Sequence, residues 1–372
     1  MTGRPGQPDA SGGPEGREPL TNRPGQPDAS GGPGGREPPD RILYVHSRKA
    51  SFVAIDREIL AERYEIEDLY QPGRWPNPLR VIGGVLRADL VFCWFASWHS
   101  FFPITLAWLL RRPSVQIVGG FDTANMPDIG YGHQQGGLRR WASRWIMRRA
   151  SRLVTNSEYS RSEIAANTPF RPEDVTVVHH GVPDPFGALE ETRPRERLAL
   201  NVGAVDAGTL VQKGQLPFVE AARSLPDVSF VLAGKWLDDA VQRLRAVAGP
   251  NVELTGWVSD DELQDLYRRA TAYVQVSRHE GFGLAVAEAM LAGCVPVVMD
   301  VTAMPEVVGD AGVLISSQDP QAVAEGIAKA LEAGPEGARR ARERILTEFP
   351  LQIRRDGILA VVGDELRRRS RA

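Results

Sequence analysis

The chain has 372 residues, of which 42% are hydrophobic and 24% charged, with a formal net charge of −3. At about 150 residues per domain this length implies two domains, each able to bury a sizeable core. A weakly acidic balance excludes a general nucleic-acid binder, and two cysteines, Cys93 and Cys294, exclude a disulfide scaffold.

Residues 1–40 form a separate regime, with 10 Gly, 9 Pro and no aromatic residue. RPGQPDASGGPEGREP at 4–19 returns as RPGQPDASGGPGGREP at 23–38. So little apolar surface cannot offset the entropy of ordering, so a disordered tail is expected. The opening MTGRPGQPDA lacks the apolar stretch of a secretory signal. With two cysteines in apolar runs, a reducing, cytoplasmic setting is the expectation.

From Arg41 the texture changes. RILYVHS, YEIEDLY, ADLVFCWF, PSVQIVGG, SRLVTNS and EDVTVVHHG read as short strands, and helix-like stretches such as SFVAIDREILAERY lie between several of them. The uncharged run at 90–110 is long enough to span a membrane. Its interior His99 and Pro103 split it better into a strand, a loop at ASWHS and a helix with Pro103 near its first turn. LRRWASRWIMRRASR at 138–152 carries six arginines and no acid. Trp141 and Trp145 share a helical face beside a stripe of Arg140, Arg144 and Arg148. The stretch is either a solvated face with inward tryptophans or a peripheral contact with an anionic membrane surface.

A Pro- and charge-rich linker follows at 182–197, and the pattern then restarts. RLALNVGAV, VSFVLAG, VELTGW, AYVQVS, CVPVVMD and GVLISS are strands, separated by helical segments. Two doubly wound α/β halves result. Such sheets bind ligands beyond the carboxyl ends of their strands, so the loops there are where chemistry is sought.

The richest of those loops is SRHEGFGLAVAEAM at 277–290. A strand ends at Ser277, and a helix starts near Leu284. Two glycines, Gly281 and Gly283, let backbone N–H groups approach a ligand, and the helix N-terminus favours an anion such as a phosphate. Glu280 sits at the mouth. Glu288 lies one turn inside, where a carboxylate can accept from a sugar diol. If helical throughout, their offset of eight residues spans about 12 Å. That is too far for a glycosidase pair at about 5–9.5 Å, and it suits two ends of one ligand. In the same half, VQKG places Lys213 beside a glycine at a helix start, a natural diphosphate clamp.

These residues resemble the GT-B retaining glycosyltransferases of the family 4 (glycosyl transferases group 1) type. Glu280 and Glu288 match the EX7E signature, and Lys213–Gly214 the lysine loop. TGWVSDDEL at 255–263 and MPEVVGDAGVLI at 304–315 match two further stretches. The resemblance implies two Rossmann-like domains facing a central cleft, an acceptor domain at 41–183 and a donor domain at 184–348. A last helix at 349–372 would return to the first of these. It implies a retaining transfer of a hexose from a nucleotide diphosphate sugar to a hydroxyl acceptor, such as a lipid-linked one or a glycan, with no cofactor and no metal. No D-x-D triplet is present.

By the same resemblance Glu288 would take the ribose hydroxyls and Lys213 the diphosphate. The backbone of Gly281, Phe282, Gly283 and Leu284 would contact phosphate and sugar. Glu280 would meet the transferred sugar, and Gly203, Gly256 and Trp257 would border the nucleotide. Three departures stand out. Ala204 occupies the place of a usual arginine, leaving Lys235 or Arg278 to supply a second cation. The loop at 203–213 is longer than usual. Gly119, Gly120, Phe121 and Asp122 replace a histidine–glycine pair, so the acceptor's proton goes to Asp122, His99, His180 or the leaving phosphate. Rival readings are a nucleotide-sugar epimerase, a glycosyl phosphorylase, or a non-catalytic nucleotide-sugar binder.

Overall fold

A computed structural model of the protein describes residues 39–73, 77–189 and 195–371. Residues 1–38 of the proposed tail and 190–194 of the proposed linker lie outside the described residues. The described residues form twelve strands: β1 (Arg41–His46), β2 (Glu65–Tyr70), β3 (Leu90–Trp94), β4 (Ser114–Ile117), β5 (Arg152–Thr155), β6 (Val175–Val177), β7 (Glu196–Val202), β8 (Ser229–Ala233), β9 (Val252–Gly256), β10 (Ala270–Gln275), β11 (Val295–Met299) and β12 (Val313–Ile315). They form two six-stranded parallel sheets, β2-β1-β3-β4-β5-β6 and β12-β11-β10-β7-β8-β9.

The second sheet shows why the sequence makes a doubly wound layer. Side chains alternate across a strand. In β7, Leu198 and Leu200 face one apolar layer, which Val286, Met290 and Ile345 complete. Ala199 faces the other, with Phe218, Leu244 and Ile327. Strands buried on both faces read as continuous apolar runs, as VPVVM of β11 does. Numbered from its own first strand, this sheet runs 3-2-1-4-5-6, and its order reverses between β7 and β10. Ligands of open α/β sheets bind at that reversal.

By contacts the described chain divides into two units. One holds Gly119–Gly136 and Thr155–Arg354, and the other residues 39–118, Gly137–Val154 and residues 355–371. The second unit contains β1 to β4 and most of the last helix, Leu351–Arg371. Arg355 of that helix pairs with Glu62, and Arg369 reaches Asp89 at 2.8 Å.

Two local expectations are corrected. The segment ASWHS is not a loop to its end, because a helix begins at Trp98 and runs to Leu109, with Pro103 inside it rather than in its first turn. Ser97 starts it, its backbone N–H donating to Ser100 Oγ at 3.3 Å. Pro103 then costs one helical hydrogen bond, which tertiary burial of Pro103 and Ile104 outweighs. The long loop after β7 contains an unforeseen helix, Ala207–Gln212, whose first N–H groups, at Gly208 and Thr209, donate to Asp206 Oδ1. Among the described residues no helix is long and apolar enough to cross a membrane. Cys93 and Cys294 are free and buried, and burial raises both thiols, Cys294 to about 11.

Candidate functional site

The loops after β7 and β10 converge at the reversal point of the second sheet. Gly214 is what lets them meet. Its φ of +65° is left-handed, and a Cβ there would lie 2.5 Å from Val276 Cγ2 and 2.6 Å from its carbonyl oxygen. Only glycine can turn under the end of β10 so closely. Lys213, just before it, thereby stands with its Nζ 3.7 Å from Glu280 Oε1.

Glu280 is held at one oxygen. Oε1 accepts from Gln275 Nε2 at 2.7 Å and from Ser277 Oγ at 3.1 Å. Gln275 in turn accepts from the phenol of Tyr273 at 3.1 Å. These three are alternate residues of one strand and its extension, so the pleat aims them the same way. Burial, together with the charges of Glu288 and Glu280, drives the Tyr273 phenol well above its usual range, so it stays a donor. The polar residues of VQVS at 274–277 were the sequence signal for this shell.

Beyond Glu280 the chain passes Gly281 and buried Phe282 to Gly283, which starts the helix Leu284–Leu291. Gly283 has φ +95°, and a Cβ on it would strike Met304 at 2.3 Å. With glycine there, no side chain caps the helix, so its first N–H groups are left for a ligand. Glu288 lies one turn in, with the Tyr267 hydroxyl 3.4 Å from its Oε2. The expected lysine, glycine and glutamate residues are thus brought to one sheet edge. Gly203 follows β7 and Gly256 ends β9, the strands on either side of β8, and both flank Gly234, which follows β8: its N–H donates to the Gly256 carbonyl, and a Cβ on it would overlap the Gly203 carbonyl. Trp257 follows, largely exposed.

Most of the remaining candidates have other partners. Asp122 is 1% exposed, and its Oδ1 accepts the Gly119 N–H at 3.1 Å, closing its own loop. His99 bonds the Trp94 carbonyl at 2.6 Å in the other unit. His180 is buried beside Phe282, and burial, with help from Arg354 and His179, lowers it well below its usual range, so it is neutral. Arg278 is paired with Asp128. Lys235 is exposed. The adjacent acids Asp260 and Asp261 lie in the first turn of the helix Asp260–Arg269, whose cap is Ser259. Among the described residues no group of three or more His, Cys, Asp or Glu is placed to hold a metal ion.

One acid was missed. Glu306 accepts from the N–H groups of Glu158 and Tyr159 at 2.9 and 3.1 Å and lies 2.7 Å from His179 Nε2. Burial alone would raise its carboxyl. Those hydrogen bonds outweigh burial and hold it below its usual range.

Residues 36–184 match the family model "Glycosyltransferase Family 4", and residues 197–333 match "Glycosyl transferases group 1". The chain is 36% identical over 127 residues to O-antigen chain mannosyltransferase B of Escherichia coli, covering 33% of this chain and 32% of that protein. It is 25% identical over 268 residues to a glycogen synthase of Mycobacterium tuberculosis, covering 66% and 64%. The chain thus spans about a third and just under two thirds of these two relatives. Its fold is similar to that of HepE of Anabaena, solved in complex with UDP and glucose, at a TM-score of 0.68 and 18% identity, covering 87% of this chain and all of that one.

Proposed function

Because the chain belongs to the group 1, family 4 glycosyltransferases, with their GT-B architecture, we propose that it moves a hexose from a nucleotide diphosphate sugar to a hydroxyl acceptor, with retention and without a metal. The observation that carries this is the placement of Glu280 and Lys213 together at the reversal point of the second sheet, beside the uncapped start of the helix Leu284–Leu291.

In this reading residues 184–348 bind the donor and residues 41–183 the acceptor. Lys213 and the first N–H groups of the helix hold the diphosphate and stabilise the charge that builds as it departs. Glu288 takes the ribose, and Gly203, Gly256 and Trp257 border the rest of the nucleoside. Glu280 accepts from hydroxyls of the sugar being transferred, turned to it by Gln275 and Ser277. The departing phosphate takes the acceptor's proton, since the carboxylate of Asp122 is engaged in bracing its own loop. The helix Gly137–Arg149 serves as a peripheral contact with an anionic membrane surface, which suits a lipid-linked acceptor.

Thermal unfolding with UDP, GDP, ADP and their sugars, each with and without EDTA, tests the donor site. One nucleotide is expected to raise the unfolding temperature, equally with EDTA present. No shift from any of them, or a shift abolished by EDTA, would count against the proposal.

A further inference from the structure

The two residues that flank Glu280 are both held from one helix, Glu158–Asn167. Ser157 is its cap and accepts the Ser160 N–H at 3.0 Å. The hydroxyls of Ser157 and Ser160 donate to the Gly281 carbonyl at 2.7 and 3.2 Å, filling both lone pairs of that oxygen. Two turns in, Glu163 Oε1 lies 2.8 Å from His279 Nε2. Positions 157, 160 and 163 recur every three residues and so share one side of the helix.

Glu163 is nearly buried and is itself surrounded by donors. The Tyr159 hydroxyl donates to Oε1 at 3.0 Å, and Thr123 Oγ1 to Oε2 at 3.0 Å. His279 is 1% exposed, and Tyr131 and Tyr159 pack against its ring. Its Nδ1 is buried with no hydrogen-bond partner among the described residues. Nε2 is the ring nitrogen placed to donate to Glu163. A buried carboxylate with three donors is a rigid anchor, because loss of any partner leaves a buried polar group unsatisfied. Glu306, on the N–H groups of Glu158 and Tyr159, fixes the start of the same helix.

We infer that Ser157, Ser160 and Glu163 are positioning residues that clamp His279 and Gly281 and so fix the carboxylate of Glu280 between them. Nothing in the core requires three polar groups of one helix to grip the backbone and ring on either side of a single glutamate. Gripping the Gly281 carbonyl also sets the plane of the next peptide, and hence the direction of the Phe282 N–H. The inference rests on the proposed role of Glu280, but the clamp itself is testable without it.

The experiment compares wild type, Glu163→Gln and the double variant Ser157→Ala/Ser160→Ala in two measurements. In hydrogen–deuterium exchange, amides of 279–283 are expected to exchange about tenfold faster in the variants, the effect of losing about one hydrogen bond. Amides in the middle of the helix Leu284–Leu291 should not change. In transfer assays kcat is expected to fall by about 10- to 100-fold, while affinity for the nucleotide diphosphate changes less than about threefold. Unchanged exchange at 279–283 in folded variants would overturn the clamp, whatever the activity. Faster exchange with unchanged kcat would overturn its positioning role. A wild-type chain that transfers from no nucleotide sugar would instead overturn the proposed function and leave the exchange result to decide the clamp.

Discussion

Glu280→Gln is expected to reduce transfer by at least about 10²- to 10³-fold, the size of effect seen when a group that stabilises the transition state is removed. The variant should fold, because the Gln carbonyl can still accept from Gln275 and Ser277 in place of Oε1. What it loses is the negative charge and one acceptor for sugar hydroxyls. Nucleotide diphosphate binding should be unchanged or somewhat tighter. Removing a carboxylate 3.7 Å from Lys213 removes one negative charge that competes with the diphosphate for that cation. Kinetics with octyl glycosides as acceptors, alongside calorimetric titration of the nucleotide diphosphate, separates the two effects. Transfer within about threefold of wild type would show that Glu280 has been misassigned.

The second large effect concerns the helix Gly137–Arg149. Its tryptophans divide their roles. Trp145 packs inward, its indole donating to Thr105 Oγ1 at 3.0 Å. Trp141 stacks on it at 5.7 Å yet is half exposed. Leu138 on the same helix, and Trp108 and Leu109 on the neighbouring helix Trp98–Leu109, are exposed as well. Arg149 lies over the rings of Trp108 and Trp145 at 4.1 and 4.5 Å. The same helix carries exposed Arg139, Arg140 and Arg148, with no acid anywhere from 137 to 152. Aromatic and apolar groups alongside arginines match the boundary of an anionic bilayer.

Wild type is therefore expected to sediment with phosphatidylglycerol-containing vesicles and not with purely zwitterionic ones. Each arginine near such a surface contributes about 1 kcal/mol. Arg140→Gln/Arg148→Gln should then weaken vesicle binding by about 30-fold. Equal binding to both vesicle types, or no loss in the double variant, would show that this is a solvated face.

Most of the fold was legible because parallel strands buried on both faces leave short apolar, β-branched runs between helical spacings. RLALNV, SFVLA and VPVVM are examples. Where reading failed, the cause was local and physical. Trp98 starts a helix through Ser97 and Ser100, whose cap was obscured by a proline that ordinarily marks a first turn. Asp206 starts the extra helix before Lys213 across a glycine that suggested a loop. Within the site, Glu280, Lys213, Gly283 and Glu288 were legible because glycine spacing and a helix start have direct chemical meaning. Glu163 with His279, and Glu306 with His179, were not. Their partners lie 116 and 127 residues apart, and no pattern within a segment carries such a pairing.

The central claim is metal-independent transfer with retention. The most direct measurement is proton NMR of the product formed from the nucleotide sugar that the unfolding panel selects, with octyl glycosides as acceptors and EDTA present. A new glycoside whose anomeric proton shows the donor's own configuration is the predicted result. A product of opposite configuration, or transfer lost in EDTA and restored by a divalent cation, would contradict it.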